Sequence, residues 1–273
     1  MAAFRRRTGV PAMDLVDIGA NLTHEAFRDD LEAVLARATD AGVQRIVVTG
    51  ADETGSREAL DLARRHPERL RATAGVHPHA AKDAGPRVLD TLRGLAEHPL
   101  VAAIGETGLD FNRDFSPRPI QEQRFAEQLE LAERTGRPVF AHQRDAHERF
   151  IEILRPIRAR LSAIVVHCFT GTEAELEDCL ALDCHIGITG WICDERRGHH
   201  LREFVDRIPA DRLMIETDSP YLLPRDLKPR PRGRRTEPSY LPHILETVAR
   251  ARGDDPAELA AATTATARRF FGF

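Results

Sequence analysis

Lysine is nearly absent from this chain. Of 39 basic residues in 273, only Lys82 and Lys228 are lysine, so a lone arginine says little here about phosphate binding. An excess of positive charge is missing too. The 39 basic residues face 43 acidic ones, a formal net charge of −4, which disfavours a nucleic-acid coat or a polybasic membrane binder. No apolar run approaches the roughly 18 residues that span a bilayer. Met1–Ala12 carries Arg5-Arg6-Arg7 with no apolar segment behind it, unlike a secretory signal. That stretch reads as a short disordered leader, with Met13 as a candidate start and 13–273 as one domain. Cys168, Cys179, Cys184 and Cys193 share one short stretch without Cys-x-x-Cys spacing. This argues against a disulfide framework or a four-cysteine zinc site, and for reduced thiols in the cytoplasm. A disordered chain is excluded by the 42% hydrophobic content, which supplies enough apolar surface to offset chain entropy.

What is present is an alternation of strand and helix. Eight short apolar runs read as strands: Leu15–Ile18, Arg45–Thr49, Leu70–Gly75, Val101–Gly105, Pro138–Ala141, Ala163–His167, His185–Thr189 and Leu213–Glu216. Most are continuous rather than alternating, as parallel strands buried on both faces require. Between them lie helical patterns. In 119–135, Phe125, Leu129 and Ala132 recur on one face. Thr172 and Glu175 have capping-box spacing. Leu241, Ile244, Leu245 and Val248 mark a helix closed by Gly253, and Asp255-Pro256 opens a last helix running to Gly272. Eight such units in about 250 residues predict an α/β (β/α)8 barrel, a TIM-like fold. The competitor, a doubly wound open sheet, lacks a Gly-x-Gly-x-x-Gly after its first strand.

A barrel of this kind places its chemistry at the carboxyl ends of the strands. Those ends carry Asp17 to Asn21, His77-Pro78-His79, Glu106 and Asp110, His142 with Arg144 and Asp145, His167-Cys168, and Glu216-Thr217-Asp218. Imidazoles and carboxylates converging on one mouth form a donor set for a hydrolytic metal. Glu106, projecting from a buried strand, needs a partner; the alternative to a metal is a salt bridge to an arginine. His142 and His167 fall on neighbouring strands, where ligation competes with ordinary buried hydrogen bonding. His77 and His79 suit phosphate contact or loop hydrogen bonds. Asp218 suits a metal ligand, a general base or a turn-capping Asx motif. Cys168 and Trp191 read as packing residues. Arg196, Arg197, His199 and His200 read as a solvated loop or a phosphate contact. From Arg225 to Arg235 six cations (Arg225, Lys228, Arg230, Arg232, Arg234, Arg235) face one acid, Asp226. Placed after the eighth strand, such a run would hold phosphates rather than read bases.

Seven segments, in order from about Met13 to the carboxyl terminus, resemble the TatD family of metal-dependent nucleases. They are Asp17-Ile18-Gly19-Ala20-Asn21-Leu22-Thr23, Ala74 to His79, Ala103 to Phe111, Arg144-Asp145-Ala146, His167 to Gly171, Gly187 to Trp191, and Glu216 to Leu222. The resemblance, strongest to the bacterial branch, implies a TIM-like barrel and a Mg²⁺-dependent 3′-to-5′ exonuclease. Its substrates would be single-stranded DNA and RNA, with a part in repair of oxidative DNA damage. It implies Glu106, His142 and His167 as metal ligands and Asp218 as the acidic ligand or base. Two departures stand out. Most family members end the first strand in His-x-His, where this chain has Gly19 and Asn21. Thr107 and Gln143 stand where the family often has cysteine.

The sequence thus predicts a cytoplasmic, monomeric enzyme. Glu106 and Asp218 are its catalytic residues, and Glu106, His142, His167 and Asp218 hold the metal. His77, His79, Arg225, Lys228 and Arg235 hold substrate. The metal is Mg²⁺ by resemblance, although imidazole donors also suit Mn²⁺ or Zn²⁺. Two other readings share the fold: a metal-dependent hydrolase of a small amide or ester, and a non-catalytic binding protein.

Overall fold

The computed structural model describes residues 14–231 and 233–273. The expected leader, the candidate start at Met13 and Arg232 lie outside those residues. Eight strands appear where the apolar runs predict them: β1 (Leu15–Ala20), β2 (Val43–Val48), β3 (Leu70–Ala74), β4 (Val101–Asp110), β5 (Val139–Arg144), β6 (Ile164–His167), β7 (His185–Ile188) and β8 (Leu213–Ile215). All neighbours pair in parallel, in sequence order. β4 runs five residues past its apolar core, to Asp110, and every residue in it is buried.

Six helices follow the first six strands: α1 (Leu31–Asp40), α2 (Glu53–Arg65), α3 (Val88–Ala96), α4 (Arg118–Thr135), α5 (His147–Leu154) and α6 (Glu173–Ala181). The capping box of α6 forms as its spacing requires, with Thr172 Oγ1 accepting from Glu175 N–H and Glu175 accepting from Thr172 N–H. The seventh unit departs from the expected rhythm. Among the described residues no α-helix joins β7 to β8. Three short 3₁₀ turns, Gly190–Cys193, His199–Glu203 and Val205–Arg207, do so instead. Gly190, Gly198 and Pro209 break that segment too often for a longer helix to propagate. Two helices follow β8: α7 (Leu241–Arg252), closed by Gly253 in the left-handed region (φ 75°), and α8 (Pro256–Phe271), capped by Asp255.

Two apolar layers result. One lies between strands and helices; the other fills the barrel with Val16, Ile18, Val47, Ala102, Phe140, Val165 and Met214. Phe270 and Phe271 of α8 pack onto this inner layer, so the barrel is a filled core and leaves the opposite, carboxyl mouth for chemistry. The ring closes at a thin seam. β8 meets β1 through one bridge, Ala20 to Ser219, beside hydrogen bonds from Asp218 N–H to Gly19 O (2.8 Å) and Asn21 N–H to Ser219 O (2.7 Å). Asp17, wholly buried in β1, completes it: Oδ1 accepts from Thr217 N–H (2.9 Å) and Oδ2 from Thr217 Oγ1 (2.6 Å). Burial pushes this carboxyl up to about 7 against the pull of those hydrogen bonds.

Candidate active site

Strand register brings the expected donors together. His142 of β5 pairs directly with His167 of β6, and Gly108 of β4 pairs with His142. Both imidazoles therefore stand beside Glu106. One oxygen, Glu106 Oε1, is the centre. It lies 2.7 Å from His167 Nε2, 3.2 Å from His142 Nδ1 and 3.2 Å from His77 Nε2. Burial alone would raise this carboxyl, but the facing His77, His167 and His142 outweigh it and hold Glu106 well below the usual carboxylate range. No arginine pairs with Glu106 among the described residues.

The second nitrogen of each imidazole separates their roles. His77 Nδ1 accepts from His79 N–H (3.0 Å), so its ring proton sits on Nε2 and points at Glu106. In that tautomer His77 is a donor. Burial lowers its pKa to about 4, keeping it neutral. His167 is turned the other way. Its Nδ1 faces Glu216 Oε2 (3.3 Å), and Phe140 stacks beneath the ring at 4.3 Å. Glu216 also accepts from Cys168 N–H (2.5 Å). A proton held on Nδ1 leaves the Nε2 lone pair facing Glu106, the carboxylate–histidine arrangement that orients metal-binding imidazoles. Without a cation between them, His167 can satisfy both carboxylates only when doubly protonated; Glu106 and Glu216 accordingly raise its pKa despite burial. His142 Nε2 is buried without a hydrogen-bond partner, 3.5 Å from Asp110 Oδ2, and its Nδ1 faces Glu106.

Donor atoms of His77, Glu106 and His142 all lie within 4.8 Å of one another. One carboxylate oxygen with imidazole nitrogens crowded around it, one ring also carrying an unpartnered Nε2, suits a divalent cation with mixed N/O preference. Glu106, His142 and His167 have the free lone pairs to hold it. Asp110 backs the group: its carboxylate takes His79 Nε2 at 2.7 Å and the N–H groups of Asn112 and Arg113. Burial raises it, but those partners and His142 hold it below the usual range.

Asp218 stands at the rim on a left-handed backbone (φ 51°), a conformation aspartate tolerates better than most residues. Asn21 Nδ2 donates to its Oδ1 at 3.1 Å. Burial, with Glu106 and Glu216 adding repulsion, pushes this carboxyl up to about 8 against the pull of His167 and His142. Thus Asn21, a departure from His-x-His, orients Asp218. The other departure has a steric reason. A Cβ at Gly19 would sit 2.4 Å from Glu216 Oε2, so in this chain the carboxylate that positions His167 occupies the space of a side chain at position 19.

The basic run divides. Arg235 is occupied: it forms a bidentate pair with Asp30 (2.7 and 2.8 Å), donates to Ala26 O and lies over the Phe27 ring. Arg225 faces Asp194 (3.6 Å) and Glu195 (3.8 Å). Lys228, Arg230 and Arg234 are exposed. Arg197 pairs with Asp194 and covers Trp191, and His200 Nε2 faces the carbonyls of Thr170 and Gly171. Arg197 and His200 are thus tied internally, while Arg196 and His199 are exposed. A second donor group, Cys193, Asp226 and His243, is satisfied within itself. His243 Nε2 meets Asp226 at 2.6 Å and the thiol donates to Thr247 Oγ1, while burial pushes the thiol up to about 12.

Sequence reasoning named Asp110 and Glu216 without giving them a role, and it placed His77 among substrate contacts rather than against Glu106. For Asp110 and Glu216 the signal was position, since each is a polar residue at the end of a buried strand. What they meet, His79 for Asp110 and His167 for Glu216, is set by the fold and not by neighbouring sequence.

Comparison with known proteins agrees with this geometry. The family model for TatD related DNase matches residues 16–272. The "3'-5' ssDNA/RNA exonuclease TatD" of Erwinia tasmaniensis is 56% identical over 257 residues, covering 94% of this chain and 99% of that protein. The protein of the same name from Pectobacterium carotovorum is 51% identical, covering 94% and 99%. A crystal structure of a TatD family hydrolase from Entamoeba histolytica superposes with a TM-score of 0.86 at 26% identity, covering 96% of this chain and 99% of that one. With a filled eight-stranded barrel, a carboxylate–imidazole mouth and a family match running almost end to end, the chain belongs to the TatD-related DNase family.

Proposed function

We propose that this protein is a metal-dependent 3′-to-5′ exonuclease that hydrolyses phosphodiester bonds of single-stranded DNA and RNA. The observation that carries the reading is Glu106 Oε1 ringed by His167, His142 and His77 within 3.2 Å at the mouth of the barrel. The names of the 51–56% identical relatives supply the substrate and polarity. Glu106, His142 and His167 would hold the metal, Mg²⁺ in the cell by family resemblance. A divalent cation held there would neutralise phosphate charge and polarise a non-bridging phosphate oxygen.

The chain's own groups supply the rest. Glu216 fixes His167 in the ligand tautomer, and Asp110 stands behind His142. His77, kept neutral by burial, gives its one ring N–H to Glu106 Oε1 and would turn it toward a non-bridging phosphate oxygen once that carboxylate holds the metal. Burial pushes the Asp218 carboxyl up to about 8. The positive charge that Glu106 gathers would lower that value toward a carboxylate able to orient and deprotonate water. Lys228 and the neighbouring exposed arginines attract the backbone upstream of the cut. Phosphoryl transfer needs little beyond such positioning and charge stabilisation. Among the described residues no helix is long and apolar enough to cross a membrane. A cytoplasmic monomer acting in repair of oxidised DNA remains our reading.

Single-stranded DNA labelled at the 3′ end in one tube and the 5′ end in another tests it. With Mg²⁺ or Mn²⁺ the 3′ label should leave at once as mononucleotide, while the 5′ label descends a ladder. EDTA or Glu106→Ala should stop both. Intact substrate with either metal, from protein that melts cooperatively, rejects the proposal.

A further inference from the structure

Large apolar side chains are normally covered in this molecule. Among the described residues two are more than half exposed: Phe115 at 55% and Tyr221 at 51%. A single exposed hydrophobe needs no explanation, but the placement of this pair does. Phe115 lies in the loop after β4 and Tyr221 just after β8. In a ring of eight strands paired in sequence order, those are opposite staves. Both loops leave the carboxyl mouth, the end of the barrel at which Glu106 stands. Each ring is braced at a steep angle by a histidine. Phe115 meets His79 at 4.7 Å and 66°, and Tyr221 meets His24 at 5.7 Å and 81°. Both platforms are also tied to the site. His79 Nε2 is bonded to Asp110, and Tyr221 N–H donates to Asp218 O at 3.0 Å.

We infer that Phe115 and Tyr221 are stacking platforms for the terminal and penultimate bases, one on each side of the bond that is cut. The inference rests on the nuclease reading and extends it to the origin of strand preference. Aromatic rings stack on any base, which gives binding without sequence readout. In a duplex those faces are already stacked and paired, so a paired end must fray before the two rings can engage it. Arg118, three residues from Phe115, is held by Asp114 and by the Phe111 ring.

The test is fluorescence anisotropy of a labelled single-stranded oligonucleotide in EDTA, followed by single-turnover cleavage with metal. Wild type, Phe115→Ala, Phe115→Leu, Tyr221→Ala and Tyr221→Phe are compared, with melting curves to confirm folding. Each alanine should weaken binding roughly 5- to 100-fold, and Tyr221→Phe should stay near wild type. On an oligonucleotide lacking the terminal or penultimate base, one of the two alanine effects should vanish, because the partner of that ring is already gone. Two results overturn the inference while leaving the nuclease intact: alanine variants that bind and cut like wild type, or alanine losses of equal size on intact and abasic strands. Wild-type protein that neither binds nor cuts any single strand overturns both.

Discussion

At the residue scale the second nitrogen of each histidine carries more information than the first. Glu106, His142 and His167 were legible because each closes a continuous apolar run, and a polar residue at the end of a buried strand must meet a partner. Their division of labour was not. It depends on Glu216 facing His167 from 49 residues away and on a backbone N–H at His79 fixing the tautomer of His77. The same logic identifies a histidine with no catalytic part. His185, at the amino end of β7, is buried against Phe270, and burial, with Arg212 adding repulsion, lowers its pKa to about 4. The fold therefore holds it neutral while the unfolded chain protonates near 6.5. Its stabilising contribution is complete above about pH 6.5 and is lost as pH falls toward 4, on the order of 3 kcal/mol in all. Urea unfolding at pH 7.5 and pH 4.5 should show that loss, and His185→Phe should make it shallower by His185's share, leaving that of His77. An equal pH slope in the variant would place the titration elsewhere.

At the element scale α4 does more than pack. Its apolar face was read from Phe125, Leu129 and Ala132. The structure adds Gln121 and Gln128 to that face, both fully buried. Gln128 bonds both backbone groups of Val76, next to His77, and Gln121 bonds both backbone groups of Asp110. One helix thereby fixes the ends of two strands that carry the site. Periodicity could have shown these glutamines on the inner face, but not what they hold. Gln128→Leu keeps the volume and strands a buried N–H and C=O. We expect a loss of about 1–3 kcal/mol in a denaturation curve, with activity falling further than stability explains as His77 moves; unchanged activity would show that His77 is held by other means. The basic loop behaves as two parts. Lys228→Ala should lower oligonucleotide affinity and reduce the salt slope by about one unit. Arg235→Ala should leave both alone and cost about 1 kcal/mol of stability through its tie to Asp30. Equal effects on binding would show that the loop acts as one cationic surface.

For the whole molecule, eight strands in order and a filled core were legible because parallel buried strands write themselves as apolar runs. The seam was not. β8 has only three strand residues, and the ring closes through Asp17, Asn21 and one bridge. Those contacts place Asp218, from the last strand, beside a centre built on β4, β5 and β6. Net charge proved uninformative for a related reason. The overall −4 averages an acidic body with a basic loop at the mouth, and function depends on what faces Glu106. We propose that Glu106, His142 and His167 hold a divalent cation on which cleavage depends. Calorimetric titration of Mn²⁺ into wild type and Glu106→Ala, with cleavage of single-stranded DNA measured on the same samples, tests it most directly. We predict that the wild type binds the cation and cuts, and that the variant, still folded, loses both. Undiminished Mn²⁺ binding by Glu106→Ala, or cleavage by wild type stripped of metal, would contradict the account.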